Sequence, residues 1–159
     1  MKFTKPNSAD IAQIKNILSQ WIQPTETDNY LSSIKRSIKD CPQFNQQFYI
    51  AINNHQVLGI TGLTDPLPQT LTHAQTHSPT QLKLLYVDGN FHGKGVGFFL
   101  INHIEKIAQS QSYTEILVRS ANRYQPQAKT FYEKMGYQKI GEMNKDKNKL
   151  MIVFSKILK

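Results

Sequence analysis

Residues Leu85-Tyr86-Val87-Asp88-Gly89-Asn90-Phe91-His92-Gly93-Lys94-Gly95-Val96-Gly97 carry three alternating glycines, at 93, 95 and 97, and a helical pattern starts directly on them. Glycine has no Cβ, so backbone amides there can approach a ligand closely and the chain can take positive φ. At a helix start several N–H groups lack intrahelical acceptors. With the helix dipole they form a site for an anion such as a pyrophosphate. Lys94 adds a mobile positive charge. The spacing excludes two other phosphate loops. A Walker A loop needs Ser or Thr after Gly-Lys, and Gly95 stands there. A dinucleotide fingerprint wants its third glycine one residue later than Gly97, and its acidic residue is met only weakly by Glu115. The bland alternative is a glycine-rich helix entry with no ligand, but such glycines weaken local order for no packing gain.

A second candidate is Ala128-Lys129-Thr130-Phe131-Tyr132-Glu133-Lys134-Met135-Gly136-Tyr137. Phe131 and Met135 lie four apart on one helical face and read as core, with Tyr132 one step round. A phenol is a weak acid, yet it can deliver a proton when held within hydrogen-bond reach.

Residues 92–97 resemble motif A of the GNAT superfamily of N-acetyltransferases, Gln/Arg-x-x-Gly-x-Gly/Ala, with His92 in place of the usual Gln or Arg. Residues 128–137 resemble its motif B, Ala-x-x-Phe/Leu-Tyr-Glu-Lys-x-Gly-Phe. The resemblance implies that His92, Gly93, Lys94, Gly95, Val96 and Gly97 cradle the pyrophosphate of acetyl-coenzyme A. The family uses the main-chain amide at the first position, so it also implies that binding survives His92. Backbone groups of Leu85, Tyr86 and Val87 would pair with the pantetheine arm, and Tyr132 would protonate the departing thiolate and touch the cofactor. The family often places an asparagine seven residues before this tyrosine. Gln125 stands there and Asn122 three residues earlier, and either amide could serve. The implied reaction is direct attack of a primary amine, of a small molecule or a peptide N-terminus, on the thioester. An amide near Val87 would stabilise the oxyanion. Asp88, Glu115, Glu26 and a water chain are candidate bases, His73, His77 and His103 are ambiguous, and Cys41 near a helix end has no support as an acyl carrier. No metal is implied. Family members are often dimers, which sets homodimerisation as an expectation.

The elements that must position these groups follow from periodicity. Ser8 reads as an N-cap, with Ile11, Ile14, Leu18 and Trp21/Ile22 making 9–22 an amphipathic helix. A second helix is expected over about 28–39, capped by Thr27 or Asp28. Residues 48–52 and 57–63 flank a turn and read as a hairpin. Residues 65–79, with Pro66, Pro68 and Pro79, read as a long loop of the kind that is often functional. Strands at 82–87 and 115–118 alternate with helices at 95–109 and 126–135. Pro126 opens the last helix and Gly136 ends it. Strands 137–143 and 150–157 close the chain around Lys145, Lys147 and Lys149, which read as a solvated turn. This order predicts one α/β domain over 1–159, a three-layer GNAT-type fold whose mixed, mostly antiparallel sheet is flanked by helices.

Bulk properties agree. At 159 residues the chain suits one domain and needs no staple. One cysteine gives no internal disulfide framework. No signal-peptide or membrane-spanning apolar run is present, so a cytoplasmic home and no membrane partner are expected. The formal charge of +8 permits an anionic partner. Only three arginines, Arg36, Arg119 and Arg123, are present, which weighs against a dedicated nucleic-acid surface. An enzyme acting on aminoacyl-tRNA and a non-catalytic acyl-coenzyme A sensor stand as the alternatives to an acceptor of ordinary size.

Overall fold

The computed structural model describes residues 1–144 and 150–159; the lysine turn expected at 145–149 lies outside them. Twelve elements follow in the order β1 (Lys2–Thr4), α1 (Ile11–Ser19), α2 (Pro24–Ile38), β2 (Gln47–Asn53), β3 (Gln56–Thr64), α3 (Pro68–Leu71), β4 (Pro79–Val87), α4 (Val96–Ser110), β5 (Glu115–Ala121), α5 (Gln127–Lys134), β6 (Gln138–Asn144) and β7 (Leu150–Ile157). The sheet order is β1-β2-β3-β4-β5-β7-β6. β4 and β5 run parallel, while β1·β2, β2·β3, β5·β7 and β6·β7 are antiparallel. The expected mixed, mostly antiparallel sheet flanked by helices is therefore present.

The helix starts differ from the sequence expectation for local reasons. Asn7, not Ser8, caps the first helical turn: its side chain accepts from Ala9 N, and Asp10 reaches back to Asn7 N at 2.8 Å. This is a capping box with two amides satisfied reciprocally. α2 begins at Pro24 rather than near Thr27, because proline at the first helical position lacks the amide that would be orphaned there. Thr27 is instead buried inside α2. β1 went unforeseen. Its three residues pair with Ile50–Ile52, too short a run to show a period.

The contacts divide the chain into two compact units. The first comprises Met1–Thr64 and Lys83–Ile104. Alternation along β2 puts Ile50 and Ala51 on opposite faces, and the register shift that leaves Leu58 unpaired between Val57 and Gly59 turns Leu58 away from the face of Ile60, so that Ile50 and Ile60 join one cluster with Ile14, Leu18, Leu31 and Ile34 of α1 and α2. Ala51 and Leu58 enter another with Val96 and Leu100 of α4. That makes three layers within this unit. Burying each such aliphatic side chain contributes about 1.5–3 kcal/mol, so packing rather than propensity holds these helices.

The second unit comprises Asp65–Leu82 and Glu105–Lys159. Its β5 buries Ile116, Leu117 and Val118, and β7 buries Val153 and Phe154. β6 shifts register between Lys139 and Gly141, and the His73 ring lies where a Cβ on residue 141 would be, 2.6 Å from His73 Cε1. The 65–79 stretch is not the featureless loop its prolines predict. It holds the short α3, and β4 already starts at Pro79. Glu115 anchors it. This fully buried carboxylate accepts from Gln75 N (2.9 Å), Thr76 N (3.0 Å) and Thr76 Oγ1 (3.2 Å), and Ser155 Oγ donates to its other oxygen. A buried carboxyl group is tolerated only when hydrogen-bonded in this way.

Glu115→Ala leaves those donors unmatched. It is expected to destabilise the protein by about 2–4 kcal/mol in urea unfolding and to make the 72–78 segment readily cleaved by protease. An unfolding midpoint equal to wild type, with no new cleavage, would show that the carboxylate does not hold the loop.

Candidate functional site

The glycine loop belongs to the first unit. After β4 the Asp88 side chain accepts from Asn90 N at 2.9 Å and caps a single 3₁₀ turn, Gly89–Phe91. His92 is extended, Gly93 and Gly95 take φ of 75° and 85°, and α4 starts at Val96. No atom lies within 4 Å of a Cβ built on either glycine, so backbone conformation and not crowding demands glycine here. Phe99 N bonds to Gly95 O at 3.0 Å. Residues 92–95 form a turn, and among the described residues the amides of Gly93, Lys94, Gly95, Val96 and Gly97 make no well-formed hydrogen bond. Five unmatched donors on the positive end of a fifteen-residue helix are what an anion requires. Lys94 is exposed, with Nζ 5.4 Å from the Phe91 ring centroid.

The side chains of Leu85 and Val87 pack with Val96 and Leu100, and Tyr86 packs on the α1–α2 cluster, its ring 6.5 Å from Tyr30. These residues thus offer backbone rather than side chain. Two of the backbone groups at the strand end are already engaged: Trp21 Nε1 donates to Val87 O at 2.9 Å, and Asp88 N donates to Leu58 O at 2.9 Å.

Tyr132 lies in the second unit, on α5. It is 7% exposed, and its ring meets Phe131, Tyr137 and Phe154 at 5.2, 5.6 and 5.3 Å. Phe131 and Met135, expected as the core face, are only half-buried, because the helix turns Tyr132 inward onto β7. Burial drives the Tyr132 phenol well above the ordinary tyrosine range. Tyr137 is raised too, first by burial and then by the Glu105 carboxylate that accepts from its hydroxyl at 3.1 Å. Lys156 Nζ bonds both Glu105 (2.7 Å) and the Met135 carbonyl (2.7 Å), so one ammonium braces the tyrosine cluster and caps the C-terminus of α5. Gly136, at φ 89°, ends the helix as expected.

The two amide candidates differ. Gln125 donates to Ser120 Oγ (3.1 Å) and accepts from Lys129 N (3.0 Å), bracing the turn between β5 and α5 just before a cis bond to Pro126. Pro126 sits at the N-cap, one place before the first helical position. The Asn122 side chain is exposed and makes no hydrogen bond among the described residues. Of the candidate bases, Asp88 is a cap and Glu115 an anchor; Glu26 sits in the first turn of α2. His103 Nδ1 lies 2.8 Å from Phe99 O, its ring stacked on Phe3. Cys41 is a free, exposed thiol. Sequence reasoning missed Gln20, Trp21 and the Glu105–Lys156 pair. A lone tryptophan at the end of an amphipathic helix was the one available signal, and it was read as packing.

The sheet is mixed and flanked by helices, the first unit holds a glycine-built turn with open amides at the start of α4, and the second holds a buried tyrosine on α5. The GNAT acetyltransferase domain model matches residues 44–139, and the chain belongs to that family. No curated protein matches the sequence. Solved structures share the fold at low identity, three of which illustrate it. A GNAT-family protein from Desulfovibrio desulfuricans has a TM-score of 0.85 at 14% identity, covering 99% of both chains. The ribosomal-protein-S18-alanine N-acetyltransferase of Escherichia coli has 0.74 at 11%, covering 99% of this chain and 93% of that one. The PaiA N-acetyltransferase of Thermoplasma acidophilum, in complex with coenzyme A, has 0.69 at 14%, covering 98% of both.

Gly95→Val forces a β-branched residue into the left-handed region at a cost of about 1–2 kcal/mol. Titration calorimetry is expected to show coenzyme A affinity reduced at least tenfold in a variant that still folds. Wild-type affinity in that variant would remove the loop from the cofactor site.

Proposed function

We propose that the protein is an acetyl-coenzyme A-dependent N-acetyltransferase acting on a primary amine, of a small molecule or a peptide N-terminus, by direct attack. The run of open amides from Gly93 to Gly97, leading into the first turn of α4, carries this reading. It is supported by the family match and by coenzyme A in the Thermoplasma acidophilum relative. Acetyl-coenzyme A supplies the thioester. The loop amides hold its diphosphate with Lys94 as a mobile counter-charge, and Leu85 and Tyr86 offer backbone to its arm. Asp88 N is engaged, so we assign the oxyanion role to the Val87 N–H. As the new C–N bond forms and the C–S bond breaks, the amine's proton passes to water, and the departing sulfur, to which the Tyr132 hydroxyl donates a hydrogen bond, takes its proton in turn from water. Asn122, with its free amide, takes the cofactor-arm role ahead of Gln125. A phenol raised by burial stays protonated through neutral pH, the state a donor must be in, and a hydrogen bond to the developing thiolate is its main contribution.

The aminoacyl-tRNA reading needs a clustered lysine face. Lys129 and Lys139 are paired with Glu133 and Glu142, so no observation favours it. A sensor would have no use for a buried tyrosine donor.

Thiol release measured over a panel of amines tests the activity; a panel of amino sugars, polyamines, amino acids and peptides with no response would overturn it. With an accepted amine, Tyr132→Phe is expected to lower kcat by 10²–10⁴-fold with little change in coenzyme A binding. Because its pKa is raised, Tyr132 loses its proton only above about pH 10, so the wild-type rate shows no alkaline fall from this group below that pH. A kcat unchanged in Tyr132→Phe removes the donor role.

A further inference from the structure

The peptide joining Val87 to Asp88 is held from both sides. Its carbonyl accepts from Trp21 Nε1 at 2.9 Å and its N–H donates to Leu58 O at 2.9 Å. One residue on, Gly89 N donates to Gln20 Oε1 at 2.7 Å. The Trp21 ring lies 6.0 Å from the imidazole of His92, the first residue of the loop. Two consecutive residues at the end of α1, Gln20 and Trp21, therefore grip a turn that runs from the cofactor strand into the anion cradle.

Neither residue is in the core: Gln20 is exposed and Trp21 is 36% exposed. Their polar atoms reach the backbone of residues 66 and 69 positions away. A side chain that spans such a separation to a main-chain group fixes where that group lies. The loop beyond has glycine at 93, 95 and 97 and little conformational preference of its own, so its amides converge on one point only if the turn feeding them is fixed.

We propose that Trp21, with Gln20, is a positioning residue for the coenzyme A site: its indole N–H sets the strand end, and its ring braces His92 so that the 93–97 amides are arranged before the anion arrives. The inference rests on the acetyl-coenzyme A reading above. It accounts for a histidine where the family motif has Gln or Arg, since a planar ring can lie against Trp21 while its main-chain amide keeps its place.

The test uses free coenzyme A and the full chain. Trp21→Phe keeps a ring and removes the donor, and Gln20→Ala removes the Gly89 bond from an exposed position. Loss of one neutral hydrogen bond that preorganises the site is expected to weaken coenzyme A about fivefold by calorimetry, in either variant, while both remain folded by circular dichroism. In the wild type the emission of the chain's one tryptophan is expected to change as coenzyme A is added. If both variants bind coenzyme A as the wild type does and merely melt earlier, the bonds are structural and the proposal is overturned. Should Trp21→Phe fail to fold, Gln20→Ala decides alone. A wild type that does not bind coenzyme A would overturn the functional reading itself, and this inference with it.

Discussion

A helix cannot satisfy its own first amides, and in this chain nothing else in the described protein does so at the start of α4. At two other helix starts part of the same problem is solved internally. Asn7 and Asp10 close a capping box before α1, and Pro24 removes an orphan donor at the start of α2. The contrast gives the 93–97 loop its meaning. α2, α3 and α5 also lack a side-chain cap, so what sets the start of α4 apart is its glycine-built turn, whose positive φ at Gly93 and Gly95 leaves the amides open in the way an anion requires. The surrounding architecture makes that arrangement affordable: Val96 and Leu100 are buried against Ala51 and Leu58, so the helix is held by its inner face rather than by its first turn.

The second unit shows the opposite treatment of charge. Glu115 lies fully buried with main-chain and hydroxyl donors around it, and Glu105 is shared between Tyr137 and Lys156. Both carboxylates are consumed by architecture. One ties the 72–78 segment to β5. The other braces α5, whose tyrosine is the candidate donor, from the side of its C-terminal carbonyls. Neither is free to act as a base, which moves the search for one toward Glu26, His77 or water.

The sequence made the core of this fold legible where the period was long enough to read. The 3.6-residue pattern locates α1 and α4 within one to three residues at each end, and the glycine spacing marks the turn that opens α4. What escaped had no periodic trace. β1 is three residues long, α3 is four, and the anchoring of 72–78 depends on one buried carboxylate contributed from about 40 positions away. A buried Glu and a surface Glu look alike in a sequence, and only the donors around Glu115 distinguish an anchor from a base. In the sequence Tyr132 stands one step round from the Phe131 and Met135 face, and in the fold it is the most buried of the three. Phe131 and Met135 are the more obvious apolar pair, yet packing against Phe154 and Tyr137 turned the phenol inward.

That burial bears on how the tyrosine can work. A phenol held above its ordinary pKa is a poorer acid than one in water, so full proton transfer to a thiolate, whose own pKa is near 8.5, runs uphill. A hydrogen bond to the growing negative charge does not. It strengthens as the charge develops and as water is excluded, the condition under which preorganised donors contribute most to a transition state. Burial is thus no defect in the assignment. It keeps Tyr132 protonated and dry among Phe131, Tyr137 and Phe154, and it trades acid strength for a donor present in the correct form at every pH the protein meets.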